Sequence, residues 1–400
     1  MLKKPLKIFV MFFLLAILLI GCSSNSSTSG SNQEQGNAGS SGASEGGAKS
    51  SGDGPLPKQM TWSVYDVGSG GYAEMSAIAN TLTSKYGSQI RMLPSASGVG
   101  RMIPLRDKTA SIGKLGDEIQ FSFEAIEEFS QQDWGPQDVR AIWAPISQFG
   151  FAVRADSDIK TIADLKGKKI PKVTGNASVN IKNEAILAFG GLTWDDVDVV
   201  DITSYGGQGD ALIQGQIDAA GINPTASAMF EADSKGGIRW LEMDPNDAEG
   251  WKRVEETAPW LFPYTLDNGA GMKEATDVMG HGYLVGGYAD LDADLVYELV
   301  KAMHENFNDF KDAMPNLALY AIDQVLTDPR GVPFHEGTIK FFKENNLWDD
   351  EKQAKNDALV ERYGKLKAAW DQVTEEAKKE GISKDDFPAY WLEKKAELVK

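Results

Sequence analysis

Short blocks of apolar residues along the chain switch repeatedly between the spacing of β-strands and that of α-helices. Trp62–Val67 predicts a strand, Tyr72–Ser84 a helix and Gln89–Leu93 a second strand. The same succession returns later, where Ile170–Val173 predicts a strand and Val179–Phe189 an amphipathic helix. Alternating strands and helices are typical of parallel sheets, with ligand-binding loops where the strands end. The pattern therefore predicts an α/β protein that is long enough for two lobes.

Beyond Trp348 the pattern changes to that of a long amphipathic helix. Apolar residues recur there at steps of three and four: Leu359, Tyr363, Leu366, Trp370, Val373 and Ala377. Gly381 is predicted to end this helix, and Ser383–Asp386 to cap a last helix that includes Trp391. We expect the apolar stripe to pack on the folded body, the alternative being a contact with a permease or a second copy.

The amino terminus has the pattern of an export signal. Lys3, Lys4 and Lys7 precede the apolar run Ile8–Ile20, which is short for a membrane span and suits a signal peptide. The run leads through Gly into Cys22, which gives a lipobox. Because Cys22 is the only cysteine, it has no partner for a disulfide or for a thiolate metal site. We expect it to carry the lipid of a bacterial lipoprotein.

Residues 1–22 then form the signal peptide, and the low-complexity residues 23–57 predict a flexible linker rich in Ser and Gly. The mature protein is expected to be extracytoplasmic and anchored to the cell membrane through the lipid. That location disfavours NAD or ATP as a ligand. The net charge of −18 disfavours nucleic acid and anionic membrane surfaces as partners.

The turn after the first predicted strand matches a nucleotide-binding pattern. The residues GSGGYA from Gly68 to Ala73 satisfy G-x-G-x-x-G/A. A dinucleotide fold also needs an acidic residue where the second strand ends, and Met92–Ser97 contains none. We therefore interpret the turn as a cradle of backbone N–H groups for a smaller, oxygen-rich group such as a carboxylate.

The chain lacks the usual patterns of catalytic and metal sites. His281, His304 and His335 are far apart, and neither H-E-x-x-H nor a Walker pattern occurs. The one match to G-x-S-x-G, at residues 42–46, lies in the low-complexity linker and not between a strand and a helix. These features predict a protein that is not an enzyme and has neither a metal site nor a cofactor.

Several motifs, in order, resemble one protein family. They are GSGGY, PSASGVGR, IKTIADLKGKKI, GGLTWDDV, MPNLALY and VPFHEGTIKFFKENNLW, and they extend over Thr61–Trp348. With the lipoprotein start, this string is similar to the TAXI-type solute receptors of tripartite ATP-independent periplasmic (TRAP) transporters. The resemblance implies the type II periplasmic-binding-protein fold, in which two α/β lobes joined by crossing strands close on a solute.

On this reading residues 58–147 and 261–345 form the first lobe, residues 148–260 the second, and residues 346–400 the C-terminal helices. The protein would capture a small, carboxylate-bearing solute of the organic acid or amino acid class. It would then deliver that solute to the permease subunits of a sodium-driven TRAP transporter. The alternatives are the receptor of an ATP-driven importer, an exported enzyme on the same scaffold, and an adhesin-like surface lipoprotein.

The resemblance also implies a set of solute contacts. In the first lobe they are Ser69, Gly70, Gly71, Tyr72, Ser95, Ser97, Gly98 and Arg101, and in the second Asn176, Ser178, Asn180, Asn223 and Thr225. Lys182 is a weaker candidate. The adjacent acids Asp117 and Glu118 have two readings: they complement a helix dipole, or they face an amino group of the solute.

Overall fold

The computed structural model describes residues 54–65, 67, 69–95, 97–203 and 205–399. Cys22, the signal peptide, residues 23–53 of the linker and Gly68 lie outside the described residues. Within the described part, no helix combines the length and apolar character needed to cross a membrane.

The described residues form strands and helices in alternation. The strands are β1 Gln59–Tyr65, β2 Gln89–Ser95, β3 Ile112–Leu115, β4 Val139–Trp143, β5 Ile146–Arg154, β6 Lys169–Val173, β7 Asp198–Ile202, β8 Ala220–Ile222, β9 Ile238–Trp240, β10 Phe262–Leu266, β11 Thr276–Gly282 and β12 Leu284–Tyr288. The α-helices are α1 Gly70–Tyr86, α2 Gly98–Arg106, α3 Glu118–Glu124, α4 Ala177–Phe189, α5 Gln208–Ile213, α6 Ser227–Gly236, α7 Ala248–Thr257, α8 Ala293–Glu305, α9 Phe307–Phe310, α10 Glu336–Glu344, α11 Asp350–Glu380 and α12 Phe387–Leu398.

The first sheet has the strand order β2-β1-β3-β12-β4. β1 runs parallel to β2 and β3, whereas β12 is antiparallel to β3 and β4. Its apolar side chains, among them the buried Trp62, Val64 and Leu115, pack against α1 and α2. The carboxyl ends of β1, β2 and β3 therefore lie at one edge of the sheet, as expected for loops that bind a ligand.

The second sheet has the order β10-β11-β5-β8, with β9 also on β5, and its pairs are antiparallel. β6 and β7 form a separate parallel pair. A second cluster of buried residues, including Leu212, Ile222 and Trp240, lies under this sheet. We call residues 54–145 and 283–399 lobe 1 and residues 146–282 lobe 2. The two sheet lobes with their helices confirm the predicted α/β fold class.

The observed pairing of β10 and β11 places the second lobe boundary after residue 282 and not at the predicted residue 261. Both strands hydrogen-bond into the second sheet, with Met279 opposite Phe149 and His281 opposite Ser147 on β5. The chain returns to the first sheet only after Gly282. At this crossing the Tyr283 N–H donates to the Pro145 carbonyl at 2.9 Å.

The C-terminal helices α11 and α12 pack on lobe 1, as the apolar stripe predicts. The Trp370 ring lies 4.8 Å from that of Trp391, and the Trp391 indole N–H donates to the Ala125 carbonyl at 2.7 Å. Glu124 accepts two hydrogen bonds from the Arg362 guanidinium, at 2.6 and 2.7 Å. Gly381 ends α11 with the left-handed conformation expected from the sequence.

Candidate functional site

The N-terminus of α1 supplies free backbone donors at the edge of the first sheet. Ser69 caps the helix, because its Oγ accepts the Tyr72 N–H at 3.1 Å and its carbonyl accepts the Ala73 N–H at 3.2 Å. Helix geometry leaves the N–H groups of Gly70 and Gly71 without an intrahelical acceptor. Of the predicted cradle, these two glycines are therefore the backbone donors.

The two glycines differ in their surroundings. A Cβ at Gly70 would meet only Glu74 Oε1, 3.9 Å away, among the described residues. A Cβ at Gly71 would overlap the Tyr283 hydroxyl and lie 3.0 Å from its Cζ. Gly71 is thus required for close packing of α1 on the crossing segment, whereas Gly70 is open.

The second predicted loop forms the cap of α2. The Ser97 Oγ accepts the Gly100 N–H at 3.0 Å. Gly98 lies under two acidic side chains, because a Cβ there would be 2.7 Å from Glu128 Oε1 and 2.9 Å from Glu118 Cβ. The Ser95 carbonyl accepts a hydrogen bond from Arg101 Nη1 at 2.9 Å.

Arg101 is committed to lobe 1 rather than directed at a solute. Its Nε donates to Glu118 Oε1 at 2.7 Å, and its guanidinium carbon lies 3.5 Å from the ring centroid of Tyr65. Burial alone lowers the pKa of Arg101, but the Glu118 carboxylate raises it above its ordinary value. The guanidinium therefore stays charged and paired.

In lobe 2 the predicted residues divide between structural and cleft-facing roles. Asn176 caps α4 by accepting the Val179 N–H at 3.1 Å. Asn180 uses both ends of its amide on the Val173 backbone, at 2.8 and 3.0 Å. Ser178, by contrast, donates its hydroxyl proton to Asp117 Oδ2 of lobe 1 at 2.6 Å.

Asn223 and Thr225 lie where lobe 2 approaches the crossing segments. Asn223 Nδ2 donates to Ser147 Oγ at 3.0 Å, and its backbone N–H donates to the Tyr205 hydroxyl at 2.9 Å. Thr225 Oγ1 contacts Asn223 Oδ1 at 2.7 Å and Asn316 of lobe 1 at 3.5 Å. Asn223, Thr225 and Ser178 thus lie where the two lobes face each other, whereas Asn180 does not.

Asp117 is the centre of the contacts between the lobes. It is fully buried, its Oδ1 accepts the Trp260 indole N–H at 3.0 Å, and its Oδ2 accepts hydrogen bonds from Ser178 and from the Lys182 ammonium. Burial by itself raises the pKa of Asp117, but Lys182, His281 and the hydrogen bonds to the carboxylate hold it below its ordinary value. The sequence had left two roles open for Asp117, namely to complement a helix dipole or to face the solute from the cleft.

A second buried ion pair lies beside the crossing segments. The Lys114 ammonium contacts Glu74 Oε2 at 3.2 Å, the Tyr320 hydroxyl at 2.7 Å and the Tyr283 carbonyl at 2.8 Å. Burial lowers the pKa of Lys114 to about 8, although Glu74 opposes this shift. These residues and Gln148 line a cavity of about 10 Å³ that both lobes help to form. Sequence reasoning missed them, although a lysine inside a buried strand is itself an unusual feature.

The three buried cations of this site are thus each paired with a buried carboxylate: Arg101 with Glu118, Lys114 with Glu74, and Lys182 with Asp117. None is left over to neutralise an anion. Capture of a carboxylate at this edge would depend on backbone donors such as those of α1.

A larger depression of about 1090 Å³ lies on the surface of lobe 2. None of the residues predicted to bind solute lines it. Some of its charged side chains stabilise the local structure; Arg253, for example, donates to the Ala188 and Phe189 carbonyls at the end of α4. We therefore place the candidate site between the lobes. Among the described residues, no three His, Cys, Asp or Glu side chains are grouped so as to hold a metal ion.

The model of the NMT1-like family matches residues 69–345, which include every strand of the two sheets except β1 and all the residues predicted to contact solute. The chain belongs to the NMT1-like family. The solved structures similar to this NMT1-like protein include the periplasmic aliphatic sulphonate binding protein SsuA from Escherichia coli. That protein is 18% identical, with 73% of this chain and 88% of that chain covered and a TM-score of 0.42.

Two further structures are similar to this NMT1-like protein. The alkanesulfonate-binding protein SsuA from Xanthomonas axonopodis pv. citri, bound to MOPS, is 16% identical over 74% of this chain and 96% of that chain, with a TM-score of 0.38. The probable amino-acid ABC transporter extracellular-binding protein ytmK from Bacillus subtilis is 11% identical over 66% and 97%, also with a TM-score of 0.38.

Proposed function

We propose that this protein is an extracytoplasmic solute-binding lipoprotein that captures a small, carboxylate-bearing solute between its lobes and delivers it to a membrane transporter. The observation that carries the proposal is the meeting of polar side chains from both lobes at Asp117, at the edge where the N-termini of α1, α2 and α4 converge. Family membership supports the same conclusion.

The proposed mechanism is capture by closure. A solute carboxylate would accept hydrogen bonds from the N–H groups of Gly70 and Gly71, while Ser178, Asn223 and Thr225 close over it from lobe 2. Anion capture is local, because the net charge of −18 does not steer anions toward the protein. The lobes would move about the two crossings, at residues 144–147 and 282–284.

The proposed transporter is a TRAP-type permease, since the sequence motifs resemble TAXI-type receptors. The receptor of an ATP-driven importer is the second candidate, because one two-lobed scaffold serves more than one transporter type. Uptake into proteoliposomes that contain the purified transporter separates the two. A sodium gradient without ATP drives uptake by the first, and ATP without a gradient drives uptake by the second.

The binding proposal is tested by a thermal-shift screen of the full chain against carboxylic acids, amino acids, sulfonates and nucleotides. We expect stabilisation by a carboxylate-bearing solute. Gly70→Val should weaken its binding at least tenfold, ~1.4 kcal/mol, because the added side chain covers the donors of α1.

Gly364→Val on α11 is the matched control, because a Cβ there meets nothing within 4 Å and a Cβ at Gly70 meets only Glu74 Oε1 at 3.9 Å. Both variants should keep the unliganded melting temperature within a few degrees of the parent. Stabilisation by NAD or ATP alone would contradict the proposal.

A further inference from the structure

We propose that the ion pair between Asp117 and Lys182 is a latch that keeps the lobes closed through the protein's own side chains, so that a solute must open it to enter. The inference rests on the proposed function, because it concerns the same cleft. It adds a closed state that does not depend on solute.

The latch joins elements that the fold otherwise keeps apart. Asp117 directly follows the β3 turn of lobe 1, and Lys182 lies in the second turn of α4 in lobe 2. Of the ion pairs recorded in the described part of the chain, this is the one that connects the two lobes. The corresponding pairs Arg101–Glu118 and Lys114–Glu74 lie wholly within lobe 1.

The Asp117 carboxylate and the Lys182 ammonium are in direct contact, and both have further partners. The side chain of Asp117 is fully buried and that of Lys182 is 4% exposed, so no solute fits between them. The carboxylate also accepts hydrogen bonds from Ser178 and Trp260, and the ammonium lies 5.9 Å from the ring centroid of Phe149.

Gly116 permits this close approach. A Cβ at Gly116 would overlap the Tyr65 hydroxyl, and it would lie 2.8 Å from Glu118 Oε2 and 3.3 Å from Ser178 Oγ of lobe 2. A side chain at this position would clash within lobe 1 and would lie tightly against Ser178 of lobe 2. The sequence therefore provides both the charge pair and the space that it needs.

The energetics make the latch reversible. Opening exchanges a buried ion pair for two hydrated ions, so the net free energy that favours closure is much smaller than either term alone. Removing one partner has a different effect, because closure then buries the other charge without compensation. Neutralising either residue should therefore favour the open state, while neutralising both should favour it less.

The test is single-molecule energy transfer between dyes on Asn80→Cys in α1 and Asp195→Cys in lobe 2, two exposed positions. The chain carries Cys22→Ala, which removes its only native cysteine. Without added solute, we expect the parent to populate mainly one high-transfer state.

Asp117→Asn and Lys182→Met should each lower the ratio of closed to open molecules at least tenfold. Ser178→Ala should give a smaller shift in the same direction, and the double variant Asp117→Asn/Lys182→Met should recover part of the loss. The control is Glu124→Gln, the same change of carboxylate to amide in an ion pair confined to lobe 1, which should leave the ratio unchanged. Circular dichroism spectra matching the parent establish that each variant is folded.

Three results would overturn the latch. The first is an unchanged ratio in Asp117→Asn, Lys182→Met and Ser178→Ala, and the second is an equal shift in Glu124→Gln. The third is a parent that is open until a solute from the screen closes it, which refutes the latch while upholding the proposed function. If neither solute nor any variant changes the transfer, the closing cleft itself is refuted.

Discussion

Adding one methyl group at Gly71 or at the adjacent Gly70 should have opposite effects on stability. A Cβ at Gly71 would overlap the Tyr283 hydroxyl and would lie 3.4 Å from Lys114 Cγ, whereas a Cβ at Gly70 would meet only Glu74 Oε1 at 3.9 Å. Overpacking of this kind costs about 1–3 kcal/mol. Replacing glycine by alanine in a helix returns roughly 0.5–1 kcal/mol.

We therefore expect Gly71→Ala to lower the free energy of unfolding by roughly 1–2 kcal/mol and Gly70→Ala to raise it by up to about 1 kcal/mol. Urea unfolding of the full chain, followed by circular dichroism, gives both values. The two variants have the same composition, so each is the control for the other.

A double-mutant cycle identifies the clashing atom. Tyr283→Phe removes the hydroxyl oxygen but keeps the Cζ contact at 3.0 Å, so it should relieve part of the cost of Gly71→Ala. We expect a coupling free energy of ~1 kcal/mol. The packing argument is refuted if Gly71→Ala is as stable as Gly70→Ala, or if the cycle shows no coupling.

Three further predictions address other parts of the chain. Cys22→Ala should release the intact folded protein from membranes in cell fractionation, and a variant that still sediments with membranes would show a different anchor. Burial lowers the pKa of His281 to about 3, and the Lys182 charge adds to the effect. As the pH falls below 6.5, His281 therefore becomes protonated in the unfolded chain while it is still neutral in the folded protein. This residue should lower the free energy of unfolding by ~1.4 kcal/mol for each pH unit between 6.5 and 3. In urea titrations at several pH values, His281→Gln should remove that part of the pH dependence. Glu124→Gln should cost about 2–3 kcal/mol in the same assay, because it weakens charge-assisted bonds to Arg362. Glu361→Gln, in an exposed helical pair, should cost far less.

Local features of the fold were predictable because their signals lie close together in sequence. The predicted helix Tyr72–Ser84 is observed as Gly70–Tyr86, two residues longer at each end, because Ser69 caps it and Gly87 ends it in the left-handed conformation. The glycine that ends α11 was predictable for the same reason.

Pairings between distant segments were not predictable. The antiparallel pairing of β10 with β11 and of β11 with β5 places residues 262–282 in the second sheet, and no local pattern in the sequence specifies these partners. The partners of Asp117 are 61, 65 and 143 residues away, so no local pattern indicated that it joins the lobes. Arg101 was predicted to face a solute because its partner Glu118 comes close only when α2 and α3 pack.

The crossing at Tyr283 gives the molecule a modular construction. Residues 146–282 are an insertion between β4 and β12, which are neighbours in the first sheet, and its two ends are joined by the hydrogen bond from Tyr283 to Pro145. A segment that leaves and re-enters at one point can be exchanged as a unit without changing the strand register that receives it. Recombination between relatives could therefore replace lobe 2 in a single step while keeping the first sheet and the C-terminal helices. The same junction is a natural place to build chimeric sensors in which a foreign lobe supplies a new specificity.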